Sequence, residues 1–207
     1  MKKFFTIIPL QTPSQLHYES MGNTRLQIEG AVQFPILTAI TGYTQPGDAI
    51  RVIAIVTNNP AGFRNLDTFR GEITSLCEQK GITCPRGVEA VMIESDDRVA
   101  AHVATFQKLI DYVEDDDELF ACMTYGTKPT SMAMVMAVQY AYRVKKNASI
   151  SCILYGQVDR PDPKDSATWR GRVYDMTALV QLDEIVHLLA ERGDLDPKKT
   201  IDCLLAL

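Results

Sequence analysis

An alternation along the chain limits the fold more than any single motif. The apolar runs IRVIAIVT (50–57), GVEAVMIES (87–95), ELFACMTY (118–125) and SISCILYG (149–156) are separated by stretches of helical period. Continuous apolar runs of this length suit strands buried on both faces. FFTIIPL (4–10) reads as a strand that precedes them. Between the strands, VQFPILTAITGY reads as a helix with Pro35 in its first turn. NNPAGF leads into another helix through about Lys80, with Gly81 placed to end it. In RVAAHVATFQKLIDYV, Val99, Val103, Phe106, Leu109 and Ile110 share one face. SMAMVMAVQYAYRV is apolar nearly all round. Strands that alternate with helices predict an α/β fold with a mainly parallel sheet and helices on both faces.

Two segments depart from the alternation. QLHYES and TRLQIE flank MGN, and the Gly22-Asn23 pair predicts a β-hairpin after the first strand. Beyond Gly156, QVDRPDPKDSATWRG predicts a long polar loop or hairpin tip. RVYDMT then predicts a short strand, ALVQLDEIVHLLAERG a helix, and DPKKTIDCLLAL a further helical segment. With 207 residues, the expectation is one domain over 1–207.

Composition excludes several function classes. With 26 acidic against 21 basic residues, the chain lacks the broad basic face that duplex nucleic acid requires. The five cysteines are odd in number and show no CxxC spacing, and Cys122 and Cys152 lie in apolar strand-like runs as buried thiols, which predicts a reducing cytoplasm and no zinc site. His17, His102 and His187 are far apart in sequence, so no metal is expected. MKKFFTIIPL ends its apolar run at Pro9 without a cleavage site and reads as a strand, not a signal peptide. No segment is apolar enough to predict a membrane span.

In a parallel α/β sheet, ligands bind at the carboxyl ends of the strands. TYGTKPTS, between the fourth strand of the alternation and its helix, stands at such an end. Unpaired N–H groups and the dipole of the helix start favour an anion. Thr127, Thr130 and Ser131 add hydroxyls, and Lys128 adds a charge. The spacing is neither that of a P-loop nor that of a dinucleotide fingerprint. The same residues also fit a plain capped helix with Thr or Ser as N-cap and Pro129 in the first turn. QTPS after the first strand brings Gln11, Thr12, Pro13 and Ser14 to the same edge, as ligand contacts or as a simple turn. Asn58, after IRVIAIVT, faces that edge and reads first as a turn residue, with a ligand contact as the second reading. WRGRVYDMT gathers Trp169, Arg170 and Arg172, either as a solvated hairpin or as a lid with a stacking ring and phosphate-binding guanidinium groups. Asp115, Asp116 and Asp117 read as a solvated loop.

The order of these motifs resembles a known family. A strand with a polar loop, the HYES-MGN-TRLQIE segment, TYGTKPTSMAM, ILYGQ and GRVYDMTALVQLDEIVHLL follow one another as in the CRISPR-associated Rossmann-fold (CARF) domains, sensors of cyclic oligoadenylates. The resemblance spans essentially the whole chain. It implies a Rossmann-like fold, a homodimer, and a ring-shaped oligonucleotide lying across the dimer without a cofactor. It also implies contacts from Gln11, Thr12, Pro13 and Ser14, and from Tyr125, Gly126, Thr127, Lys128 and Thr130. The first loop lacks the glycine often found there in the family.

Family members are often fused to a nuclease or DNA-binding module, and no ribonuclease or restriction-type signature is evident here. The chain is therefore expected to be a stand-alone sensor, a ring-degrading enzyme, or a piece of a longer protein. A ring nuclease would need no metal if the ribose 2′-hydroxyl attacked its own phosphate. Lys128 would then stabilise the phosphorane, Thr12 or Ser14 would orient the ribose, and His17 would accept the proton. Two other classes stay open: a nucleotide- or sugar-phosphate-dependent enzyme, and a pure dimerisation module.

Overall fold

The computed structural model describes residues 1–193 and 196–205. Its strands are β1 (Lys2–Ile7), β2 (Tyr18–Met21), β3 (Ile50–Thr57), β4 (Val88–Ile93), β5 (Glu118–Cys122), β6 (Ser149–Asp159) and β7 (Arg170–Asp175). The helices are α1 (Ile36–Tyr43), α2 (Pro60–Lys80), α3 (Val99–Ile110), α4 (Lys128–Val144), α5 (Thr177–Arg192) and α6 (Pro197–Leu205). The strands form one sheet in the order β2-β7-β6-β5-β1-β3-β4. From β4 to β6 every pairing is parallel, and β7 runs antiparallel to β6. The fold is α/β and Rossmann-like, as the alternation predicts.

Both faces of the sheet are covered, and the period of two along each strand divides the core. Phe4, Val52, Ala54, Phe120 and Cys122 face α1 and α2, where they meet Leu37, Ile40, Leu66 and Phe69. Phe5, Ile53, Ile55 and Ala121 face the opposite layer, where they meet Leu109 of α3, Met134 and Val138 of α4, and Val180 of α5. On the first face Phe4 and Phe120 stack across neighbouring strands with centroids 4.4 Å apart.

Local chemistry sets the helix ends. Asn59 caps α2 by accepting from the Gly62 N–H at 2.8 Å, and Pro60 fills the first position, where no N–H is needed. Gly81 ends α2 in the left-handed conformation at φ 64°, as expected. α4 begins at Lys128, three residues earlier than the apolar pattern from Ser131 suggests, because Thr127 caps it.

The expected hairpin after the first strand does not form. Gly22 does turn the chain, at φ 106°. β2 then pairs in parallel with β7, and Thr24–Leu26 is a 3-10 turn. Asn23 fixes this arrangement. Its Oδ1 accepts from the Arg25 N–H at 3.0 Å, and its Nδ2 donates to Asp175 Oδ2 at 2.6 Å and to Tyr43 Oη at 2.9 Å. β7 leaves an open edge that a four-residue strand can fill. Gly171 makes room for the buried Tyr18 ring, because a Cβ there would stand 2.6 Å from Tyr18 Cδ1.

Two further expectations change. The segment QVD extends β6 and does not belong to the polar loop. Asp117 is not solvated: only 2% of its side chain is exposed, and its Oδ2 lies 2.6 Å from Nζ of the fully buried Lys3. That ammonium also donates to the Tyr112 carbonyl at 2.8 Å and to Glu114 Oε2 at 2.6 Å, so the buried charge is fully partnered.

Candidate functional site

From β1 the chain passes to β2 at the far edge of the sheet and returns through α1 to β3 and β4 on one side of β1, whereas β5, on the other side, leads through α4 to β6. The helical crossovers to β3 and to β6 therefore run in opposite directions from the centre of the sheet, and the carboxyl edge at such a point is where open α/β sheets hold ligands. A cleft of about 520 Å³ opens there. Its floor is the end of β1, and its walls are residues 9–14, 93–97 and 124–127.

The first wall is held from beneath. Ile8 N–H donates to the Ile55 carbonyl at 2.9 Å, which continues the β1–β3 ladder past the strand end. Asn65, buried on α2, then donates through Nδ2 to the carbonyls of Pro9 at 2.7 Å and Gln11 at 3.0 Å. Beyond this anchor Thr12 and Ser14 line the cleft, and their hydroxyls have no hydrogen-bond partner among the described residues.

The wall at the end of β5 is built more tightly. Thr124 Oγ1 accepts from the Gly156 N–H at 2.7 Å and ties the turn to β6. Tyr125 donates from Oη to the Gln33 carbonyl at 3.0 Å, and burial holds its hydroxyl pKa well above the ordinary range. Gly126 has φ 89°, and a Cβ there would stand 2.7 Å from Ile7 Cγ2. The turn thus lies directly on the end of β1, and only glycine meets both conditions. Thr127 caps α4, with its Oγ1 2.9 Å from that of the buried Thr130. Lys128 follows as the first residue of α4. It is exposed, and its ammonium has no hydrogen bond or ion pair among the described residues.

The structure brings Gln11, Thr12, Pro13, Ser14, Tyr125, Gly126, Thr127 and Thr130 together around the cleft. It does not place the other expected residues in the lining. Lys128 and Ser131 continue from the lining into α4. Asn58 donates to Glu94 Oε1 at 3.1 Å, just outside. His17 lies away from the cleft, with Nδ1 2.9 Å from the Gly30 carbonyl. Arg172 is on β7, where it pairs in register with Glu19 and Gln157. Arg170 donates to the carbonyls of Ala167 and Trp169 at 3.1 and 3.0 Å and so braces its own loop.

Sequence reasoning passed over the opposite side of the cleft. Glu94, Asp96, Asp97, His102 and Lys108 line it from the end of β4 and from α3, and Arg160 lines it from the end of β6. Lys108 donates to the Met92 carbonyl at 2.7 Å. The Arg98 guanidinium, 2.6 Å from Asp96 Oδ2, holds that carboxyl down at about 2. His102 Nε2 is buried with no hydrogen-bond partner. The only signal in the sequence was the polar run ESDD directly after a strand. Acidic groups thus gather at the β4 side, whereas the free Lys128 and Arg160 stand with β5 and β6.

Among the described residues no group of three or more His, Cys, Asp or Glu side chains could hold a metal ion. No helix among them is long and apolar enough to cross a membrane. Compared with protein-family models and with curated proteins, the sequence finds no match.

Proposed function

We propose that the chain binds a cyclic oligoadenylate across a homodimer, as a CARF-type domain in type III CRISPR antiviral signalling. One observation carries this reading. The loop after β1 and the turn after β5 meet at one cleft at the point where the sheet connections diverge, beside a capped helix start and an unpaired lysine. Backbone N–H groups and a cation at a helix start suit phosphate oxygens. The unpartnered hydroxyls of Thr12 and Ser14 suit ribose.

The homodimer is supported by the surface beside the cleft. Val99 and Val103 on α3 and Met132 and Met136 on α4 are exposed, although both helices bury their other faces. An apolar helix face in water calls for a cover. Binding is favoured over ring cleavage, because His17, the expected proton acceptor, turns to Gly30 outside the cleft. The test is thermal melting with cyclic tri-, tetra- and hexa-adenylate, with ATP and NAD as controls, combined with light scattering. A shift with one ring and a mass of two chains supports the reading. No shift with any ring would reject it.

A second reading has its own observation. His102 lines the same cleft as the carboxylates of Glu94 and Asp96, an acid–base set of the kind a nucleotide- or sugar-phosphate-dependent enzyme needs. Stabilisation by ATP or NAD and not by the rings would favour it.

A further inference from the structure

The geometry points to Arg160 as the phosphate-gripping residue of the cleft, held ready by Trp169. This rests on the reading that the cleft takes a phosphate-bearing ligand, and it adds a residue which the motif resemblance does not carry.

β6 overshoots its neighbour. The last β5–β6 pair is Cys122 with Leu154, yet β6 runs on to Asp159. At about 3.3 Å per residue, the extra strand projects roughly 16 Å past the end of β5. Arg160 follows at its tip and lines the cleft. The antiparallel register ends at Asp159 with Arg170, so Arg160 and Trp169 are the next residues to face each other. The guanidinium carbon lies 4.6 Å from the centroid of the Trp169 ring.

The ring is itself fixed. Trp169 packs against the core, and its Nε1 donates to the Asp162 carbonyl at 2.9 Å. An indole face attracts a guanidinium without using its N–H groups.

The surrounding acids are diverted. Asp162 Oδ1 accepts from the Lys164 N–H at 2.9 Å, and Asp165 Oδ1 from the Ala167 N–H at 3.0 Å. Both shape the loop. Arg160 itself has no hydrogen bond or ion pair among the described residues, despite three aspartates within five positions of it (Asp159, Asp162, Asp165). A charged fork held in place on a ring, with its donors free at the rim of a cleft, loses little freedom on gripping a phosphate.

The experiment titrates inorganic triphosphate and, separately, cyclic tetra-adenylate into the full chain. Calorimetry measures affinity, and the arginine Nε–Hε resonances are followed by NMR. Arg160→Ala should weaken triphosphate binding about tenfold or more and remove the one arginine resonance that shifts. Arg160→Lys keeps the charge but loses the stacked fork, and should recover only part of the affinity. Trp169→Leu should weaken binding a few-fold with Arg160 still present. Circular dichroism checks that each variant is folded. Triphosphate binding that is absent from the wild type, or equal in Arg160→Ala, overturns the assignment. Triphosphate binding through Arg160 with no binding of the cyclic ring would keep the assignment and reject the oligoadenylate reading.

Discussion

Asn65 tests whether the fold holds the site in place. It sits within α2, buried, and among the described residues its amide makes the only side-chain hydrogen bonds from that helix to the loop after β1. Asn65→Leu keeps the approximate volume and removes both donors. Each lost hydrogen bond is worth about 1 kcal/mol net. The Gln11 carbonyl belongs to an exposed residue and can turn to water, but Pro9 is buried and its carbonyl would stay unpaired. An orphaned buried acceptor costs a further 1–3 kcal/mol or so. The total is about 3–5 kcal/mol. For a chain of this size each kcal/mol lowers the melting temperature by about 2–4 °C, so a fall of roughly 6–20 °C is expected. Hydrogen exchange should localise the effect, with faster exchange at residues 10–16 and little change in β5 or α4. A variant that melts with the wild type, and whose loop exchanges no faster, would show that the loop needs no anchor from α2.

Other perturbations separate the remaining contributions. Gly126→Ala combines a backbone at φ 89° with a Cβ 2.7 Å from Ile7 Cγ2, whereas Gly22→Ala meets φ 106° in open space. Gly22→Ala should cost about 1–2 kcal/mol from conformation alone, and Gly126→Ala distinctly more, as read from urea midpoints. Asp117→Ala leaves the Lys3 ammonium buried beside Glu114 only, and should cost about 3–5 kcal/mol. A Lys3→Met, Asp117→Leu double variant should recover much of that in the same melts. Lys128→Ala should leave melting unchanged, since the side chain is exposed and unpaired. It should weaken cyclic oligoadenylate binding by roughly two orders of magnitude or more, because a dimer loses two charged hydrogen bonds worth about 1.5–3 kcal/mol each.

The strands were legible because burial on both faces removes the polar alternation that would otherwise blur them. Gly81 was legible as the end of α2 because it acts within a few residues of itself. Where the reading failed, the missing information was non-local. Gly22 turns the chain as its sequence suggests, but what β2 pairs with is decided by β7, about 150 residues later. Asp117 looks like its acidic neighbours, and only Lys3 at the other end of the chain draws it into the interior.

The cleft divides along the same line. Two of its walls, residues 9–14 and 124–127, could be located, since polar residues that directly follow buried strands must lie at the sheet edge. TYGTKPTS shows why locating a wall falls short of assigning its work. Thr127 and Thr130 spend their hydroxyls on each other and on the start of α4, Gly126 is demanded by Ile7, and Pro129 suits the first turn. Thr124 and Tyr125 bond to Gly156 and Gln33, so local contacts account for every residue of the motif except Lys128 and Ser131. The same test frees Arg160: a loop with three nearby aspartates has every reason to neutralise that charge and does not. Ligand contacts are best sought among the polar groups that the fold itself leaves without a partner. By that criterion Thr12, Ser14, Lys128 and Arg160 stand together with the buried His102 Nε2, and Arg160 was hidden because its place at the cleft depends on β6 outrunning β5.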